Sequence, residues 1–99
     1  MNTNGAIKLF IQKYLDFDLL IREKKGFDDA SLNELITLLI KINENLIHSD
    51  NIPKELAEIF LDMWGALTSS ADLYEEFKKN QIYEAADLLC YHARNICTS

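Results

Sequence analysis

The sequence predicts an all-α protein: an antiparallel four-helix bundle of the up-down kind or a close variant. Three observations predict it. Val is absent while Leu, Ile, Glu, Lys and Ala are plentiful, a balance that suits helices and disfavours a sheet. One Pro and three Gly leave very few breakers in 99 residues. Apolar residues recur at spacings of three and four in blocks set apart by helix start and stop signals. At 48% hydrophobic and 26% charged, the composition is that of a globular chain rather than a disordered one. Its length fits a single helical domain, 1–99, built round one core.

The first helix is expected from about Asn4 to Lys25. Thr3 or Asn4 serves as N-cap, and Gly26 stops the helix just after two lysines that favour the negative end of the dipole. Ala6, Ile7, Leu9, Phe10, Ile11, Tyr14, Phe17, Leu20 and Ile21 cover more than half of its circumference, so it should touch more than one neighbour. In "GFDDASLNEL", Ser31 with Glu34 forms a capping-box pattern that starts a second helix running to about His48. Its apolar arc runs from Leu32 to Ile47 and encloses Asn43, which belongs at an edge or against a polar neighbour.

Pro53 marks the first turn of the third helix. From there Leu56, Phe60, Met63, Trp64, Leu67, Ala71, Tyr74 and Phe77 hold helical spacing straight through Thr68-Ser69-Ser70. One long helix over 53–79, ending at Asn80, is the preferred reading; the alternative breaks it near Ser69, with Ser69 or Ser70 capping a new start. The last helix, about 82–97, buries Ile82, Ala86, Leu89, Ala93 and Ile96. A link of only Asn80-Gln81 would make these two an antiparallel hairpin.

Chemistry is sparse. In "CYHARNIC", Cys90 and Cys97 lie two helical turns apart, about 10.5 Å and beyond disulfide reach, and His92 points away from both. Metal-ligand spacings are absent, and both cysteines flank the apolar arc, where a free thiol packs as a small hydrophobe. His48 reads as a cation near a helix end. A calcium loop ending at Glu34 would place Lys25 and Phe27 where oxygen ligands belong. Leu73, Phe77, Ala86, Cys90 and Ala93 fall at spacings that resemble a tetratricopeptide helix pair, yet Tyr74 stands where that repeat has Gly and no second copy follows. No nucleophile, phosphate-loop or dinucleotide motif is present. The expectation is a non-catalytic chain with no metal and no cofactor.

The net charge of −6 is unevenly spread. Residues 1–25 hold five basic groups against three acids, whereas residues 26–77 hold eleven acids against Lys41 and Lys54. Such a middle repels nucleic acid and anionic membranes and attracts basic proteins. No stretch has the ~18 uncharged apolar residues of a membrane span, and polar groups at Lys8, Gln12, Lys13 and Asp16 interrupt any signal-peptide core. The expected compartment is the cytoplasm.

On a continuous third helix, Glu58, Asp62, Asp72 and Glu76 would share one strip opposite the apolar stripe, with Glu55 and Glu75 flanking it. They would form a ridge roughly four turns long, and Leu61 would stand among them as an apolar contact at its margin. These seven are the candidate partner-binding residues. In size, charge and helical character over the whole chain, the sequence resembles bacterial immunity proteins. That resemblance implies binding to a cognate toxin, often a nuclease, with acidic side chains covering its basic cleft and excluding nucleic acid. Helical immunity proteins that act at membranes fit the acidic middle poorly. The rival expectation is an adaptor bundle acting through homo- or hetero-oligomerisation, for instance a homodimer joined through spare apolar surface on the first helix. A phage-type inhibitor that imitates nucleic acid charge is a third.

Overall fold

The computed structural model describes residues 2–98, and all of its regular structure is helical: α1 (Thr3–Arg22), α2 (Asp29–Leu46), α3 (Lys54–Ala71) and α4 (Glu76–Thr98). The bundle class is as the sequence predicts. A side-chain oxygen serves free N–H groups in the first turn of α1, α2 and α4, whereas α3 follows a proline and has no side-chain cap. Asn2 accepts from the Gly5 N–H at 2.7 Å, and Asp28 accepts from the Ser31 N–H at 2.6 Å. The cap of α2 is therefore Asp28, three residues earlier than the Ser31 expected from the capping-box pattern. Pro53, with an extended ψ of 141°, stands just outside α3.

The largest departure is at the third helix. It stops at Ala71, and α4 begins at Glu76, so the expected helix over 53–79 is two elements and the Asn80-Gln81 link lies inside α4. The break needs neither Gly nor Pro. The Leu73 and Tyr74 N–H groups bond the carbonyls of Ser70 and Ala71, three residues back, which tightens the last turn into 3₁₀ geometry. Glu75 then receives the start of α4: its two carboxylate oxygens accept from the Phe77 and Lys78 N–H groups at 3.0 and 2.9 Å. Phe77, expected in the apolar stripe, is consequently 68% exposed on the first turn of α4.

Helix pairing follows a ring in the order α1, α2, α4, α3. The link over 47–53 therefore crosses the bundle end diagonally, and α1 and α3 become neighbours running in the same direction. Side chains confirm that register: Phe10 meets Phe60 edge-on, with ring centroids 6.2 Å apart, and Tyr74 reaches Ile21. The Trp64–Tyr83 ring contact sets α3 antiparallel to α4. One core joins all four helices, with Phe10, Ile21, Leu39, Ile42, Leu56, Met63, Leu67 and Leu89 fully enclosed. Ala86 and Ala93 keep α4 close to its neighbours.

Tyr74 ties the far end together. Its hydroxyl donates to the Ile21 carbonyl at 2.7 Å and accepts from the Gly26 N–H at 3.0 Å. Gly26 adopts φ 70°, which presents that N–H inward, while Lys24 takes the left-handed position (φ 64°) that ends α1, two residues before the glycine expected to do so. Replacing Tyr74 by Phe keeps the ring, strands the Gly26 N–H and leaves the Ile21 carbonyl with the Lys24 N–H alone. Urea unfolding should show a loss of about 2 kcal/mol; an unchanged midpoint would contradict the tie.

Candidate functional site

The seven acidic-face residues do not form one ridge. Glu55, Glu58, Leu61 and Asp62 lie together on the outer side of α3, all exposed. Asp72 is the C-cap of α3, ten residues or about 15 Å further along the axis. It pairs with Lys79 at 3.2 Å across the turn. Glu75 is engaged by the α4 N-terminus, and Glu76 sits in the first turn of that helix, where its charge favours the dipole. The structure thus divides the expected set into a surface cluster on α3 and a group with local work at the α3–α4 turn. Among the described residues, Glu55, Glu58 and Asp62 make no ion pair with a lysine or arginine.

Among the described residues Leu61 is the most exposed large apolar side chain, at 84%, and it borders a groove between α3 and α4. One stretch of that groove, about 380 Å³, is lined by Ala57, Phe60, Leu61 and, from α4, Cys90, Ala93 and Cys97, with Arg94 at its rim. The next, about 480 Å³, runs past Trp64, Asp87 and Tyr91, and shares Cys90 and Arg94 with the first. Trp64 and Tyr91 are 44% and 60% exposed. Helical spacing alone assigned Trp64 to the core and gave Arg94 no part. The usable signal was bulk: α3 sets Phe60 and Trp64 against Cys90, Ala93 and Cys97, side chains too small to cover them.

Cys90 is half-buried and Cys97 exposed, and both are free thiols. Burial pushes the Cys90 thiol up, Asp87 adds to the rise and Arg94 opposes it, so the group is a poor nucleophile. His92 stacks edge-on against Tyr91 rather than meeting either cysteine. Among the described residues no group of three His, Cys, Asp or Glu side chains gathers as metal ligands. No described helix is long and apolar enough to cross a membrane. A second cleft, between α1 and α2, carries charges of both signs, two of which, Lys13 and Glu34, are already paired with each other.

One charged group is interior. Asp18 is buried on α1, ion-paired to Arg22 one turn on, and its Oδ1 has no hydrogen-bond partner among the described residues. The shared register of α1 and α3 brings it to the level of Ser70, the other buried polar residue among those described. Tyr14 lies one turn before it. Burial, reinforced by the Asp18 and Cys90 charges, drives the Tyr14 phenol well above its usual range, with Arg22 opposing.

In comparisons with known proteins, no family model matches the chain, and no curated protein or solved structure matches it significantly.

The Tyr14 shift carries a sign. A phenol whose folded pKa is raised contributes fully below the unfolded value of about 10, and that contribution is lost as pH rises towards the folded value. Thermal melts should therefore fall steeply above pH ~10 in the wild type and less steeply in Tyr14→Phe. Parallel pH profiles for the two proteins would contradict this.

Proposed function

We propose that this chain is a non-catalytic binding module that engages a basic protein through the outer face of α3. In its most concrete form it is a cytoplasmic immunity protein that covers the basic cleft of a toxin, such as a nuclease. The observation that carries this reading is the cluster Glu55, Glu58 and Asp62: three exposed carboxylates within eight residues of one helix, unpaired among the described residues, with Leu61 at its margin beside Glu58. Like charges at this spacing cost a helix a few tenths of a kcal/mol per pair, and a basic partner reverses the sign of that cost. Acids arranged this way steer association and make it salt-sensitive. An apolar side chain beside them supplies the desolvated contact that charge alone lacks.

The division of the acids sharpens the test. The triple reversal Glu55→Lys, Glu58→Lys, Asp62→Lys should abolish capture of the partner from the source organism at low salt. Asp72→Lys should leave capture intact and cost only local stability. The captured protein should be basic, should elute with salt, and should lose its activity at one equivalent of the chain. Undiminished capture by a folded triple variant would contradict the reading.

A further inference from the structure

The α3/α4 groove is complementary to itself. Leu61 stands as a knob on its α3 wall, and beside it lies a hollow walled by Ala57, Phe60, Cys90 and Ala93. A surface that carries both a knob and the adjoining hole suits an isologous contact, in which the same patch meets itself across a two-fold axis. The charges agree with that geometry. The outer rim of α3 carries Glu58, and the α4 rim carries Arg94, which lines the same stretch of groove as Ala57 and Leu61, the residues that bracket Glu58. Among the described residues neither Glu58 nor Arg94 makes an ion pair.

We propose that a second copy of this chain covers the groove, with the two-fold axis in the contact plane and running along the groove. That axis lays α3 of one copy over α4 of the other at the same height. Leu61 of each copy then enters the hollow of the other, and Glu58 of each meets Arg94 of the other, so the ion pair forms twice. Trp64 and Tyr91, aromatic and half open to solvent, fill the middle of the contact, as aromatic anchors do in protein interfaces.

An apolar row on α1, exposed Leu15 and Leu19 beside half-buried Ile11, does not pair with itself in this way. An antiparallel two-fold contact centred on Leu15 sets Lys8 of one copy against Arg22 of the other, and like charges there oppose association. Glu55 and Asp62 lie roughly 100° or more round α3 from Leu61 and stay outside the dimer contact. Glu58 and Leu61 belong to both surfaces, but Arg94 belongs to the dimer alone, so Arg94→Glu separates failure of the dimer from failure of the partner-binding reading.

Sedimentation velocity on the full chain, from about 1 to 100 µM, tests the dimer directly. The wild type should be dimeric at the upper end, and Trp64, the single tryptophan, should shift its emission to the blue as concentration rises. Leu61→Lys and Arg94→Glu, both at exposed positions, should each weaken dimerisation by roughly tenfold or more. The charge swap Glu58→Arg with Arg94→Glu should restore it to within about threefold of wild type. A wild type that stays monomeric throughout overturns the proposal. So does a dimer indifferent to Leu61→Lys or Arg94→Glu, or a swap that fails to rescue.

Discussion

The arrangement of this bundle depends on the hydroxyl of Tyr74. It joins the end of α3 to the end of α1 through the Ile21 carbonyl, which also accepts from the Lys24 N–H, and the Gly26 amide, left without a helical partner where α1 unwinds. An α1 terminus closed by other means would have no use for it, and a third helix continued past Ala71 would carry the ring elsewhere. With both ends fixed together, α1 and α3 must run in the same direction side by side. The chain after α2 must then cross the bundle end to reach α3, and α4 is left to close the ring between α3 and α2.

The same turn governs the surface. A continuous third helix would align acids from Glu58 to Glu76 on one strip; the turn at 72–75 removes Asp72, Glu75 and Glu76 from it and gives two of them partners, Lys79 and the first amides of α4. What remains on α3 is shorter and unpaired among the described residues, and it stands beside a groove that exists only because α4 folds back along α3. Acidic face and apolar groove are thus neighbours by construction. They meet at Glu58 and Leu61, so partner binding and self-association would share an edge without sharing a centre.

Much of this was legible in the residues and some was not, for identifiable reasons. The apolar spacing in α4 named Ile82, Ala86, Leu89, Ala93 and Ile96, all of which are buried, because a strong amphipathic pattern survives an error in the helix start. The α3–α4 break was legible only as the alternative near Ser69, a few residues early, because its turn keeps the helical phase: Ala71 is buried and Tyr74 half-buried in the register a continuous helix would give them. Its start signal is a glutamate, outside the usual set of capping residues, and its stop signal is a contact with Ile21, 53 residues away. Asp28, which is the cap itself, was passed over because Ser31 and Glu34 offered a better-known pattern. The groove was invisible for a different reason. Periodicity marks which side of a helix is apolar, but not whether the facing helix has side chains large enough to cover it, and Cys90 and Ala93 do not cover Trp64 and Leu61.

The central claim is that the chain breaks between Ala71 and Glu76 and is pinned there to the end of α1. Backbone chemical shifts and nuclear Overhauser contacts in solution test it most directly. The account predicts helical Cα shifts through Ala71, a lapse over 72–75, helical shifts again from Glu76, and contacts from the Tyr74 ring to Ile21 and Gly26. Unbroken helical shifts from Lys54 to Lys79, with no Tyr74–Gly26 contact, would contradict it.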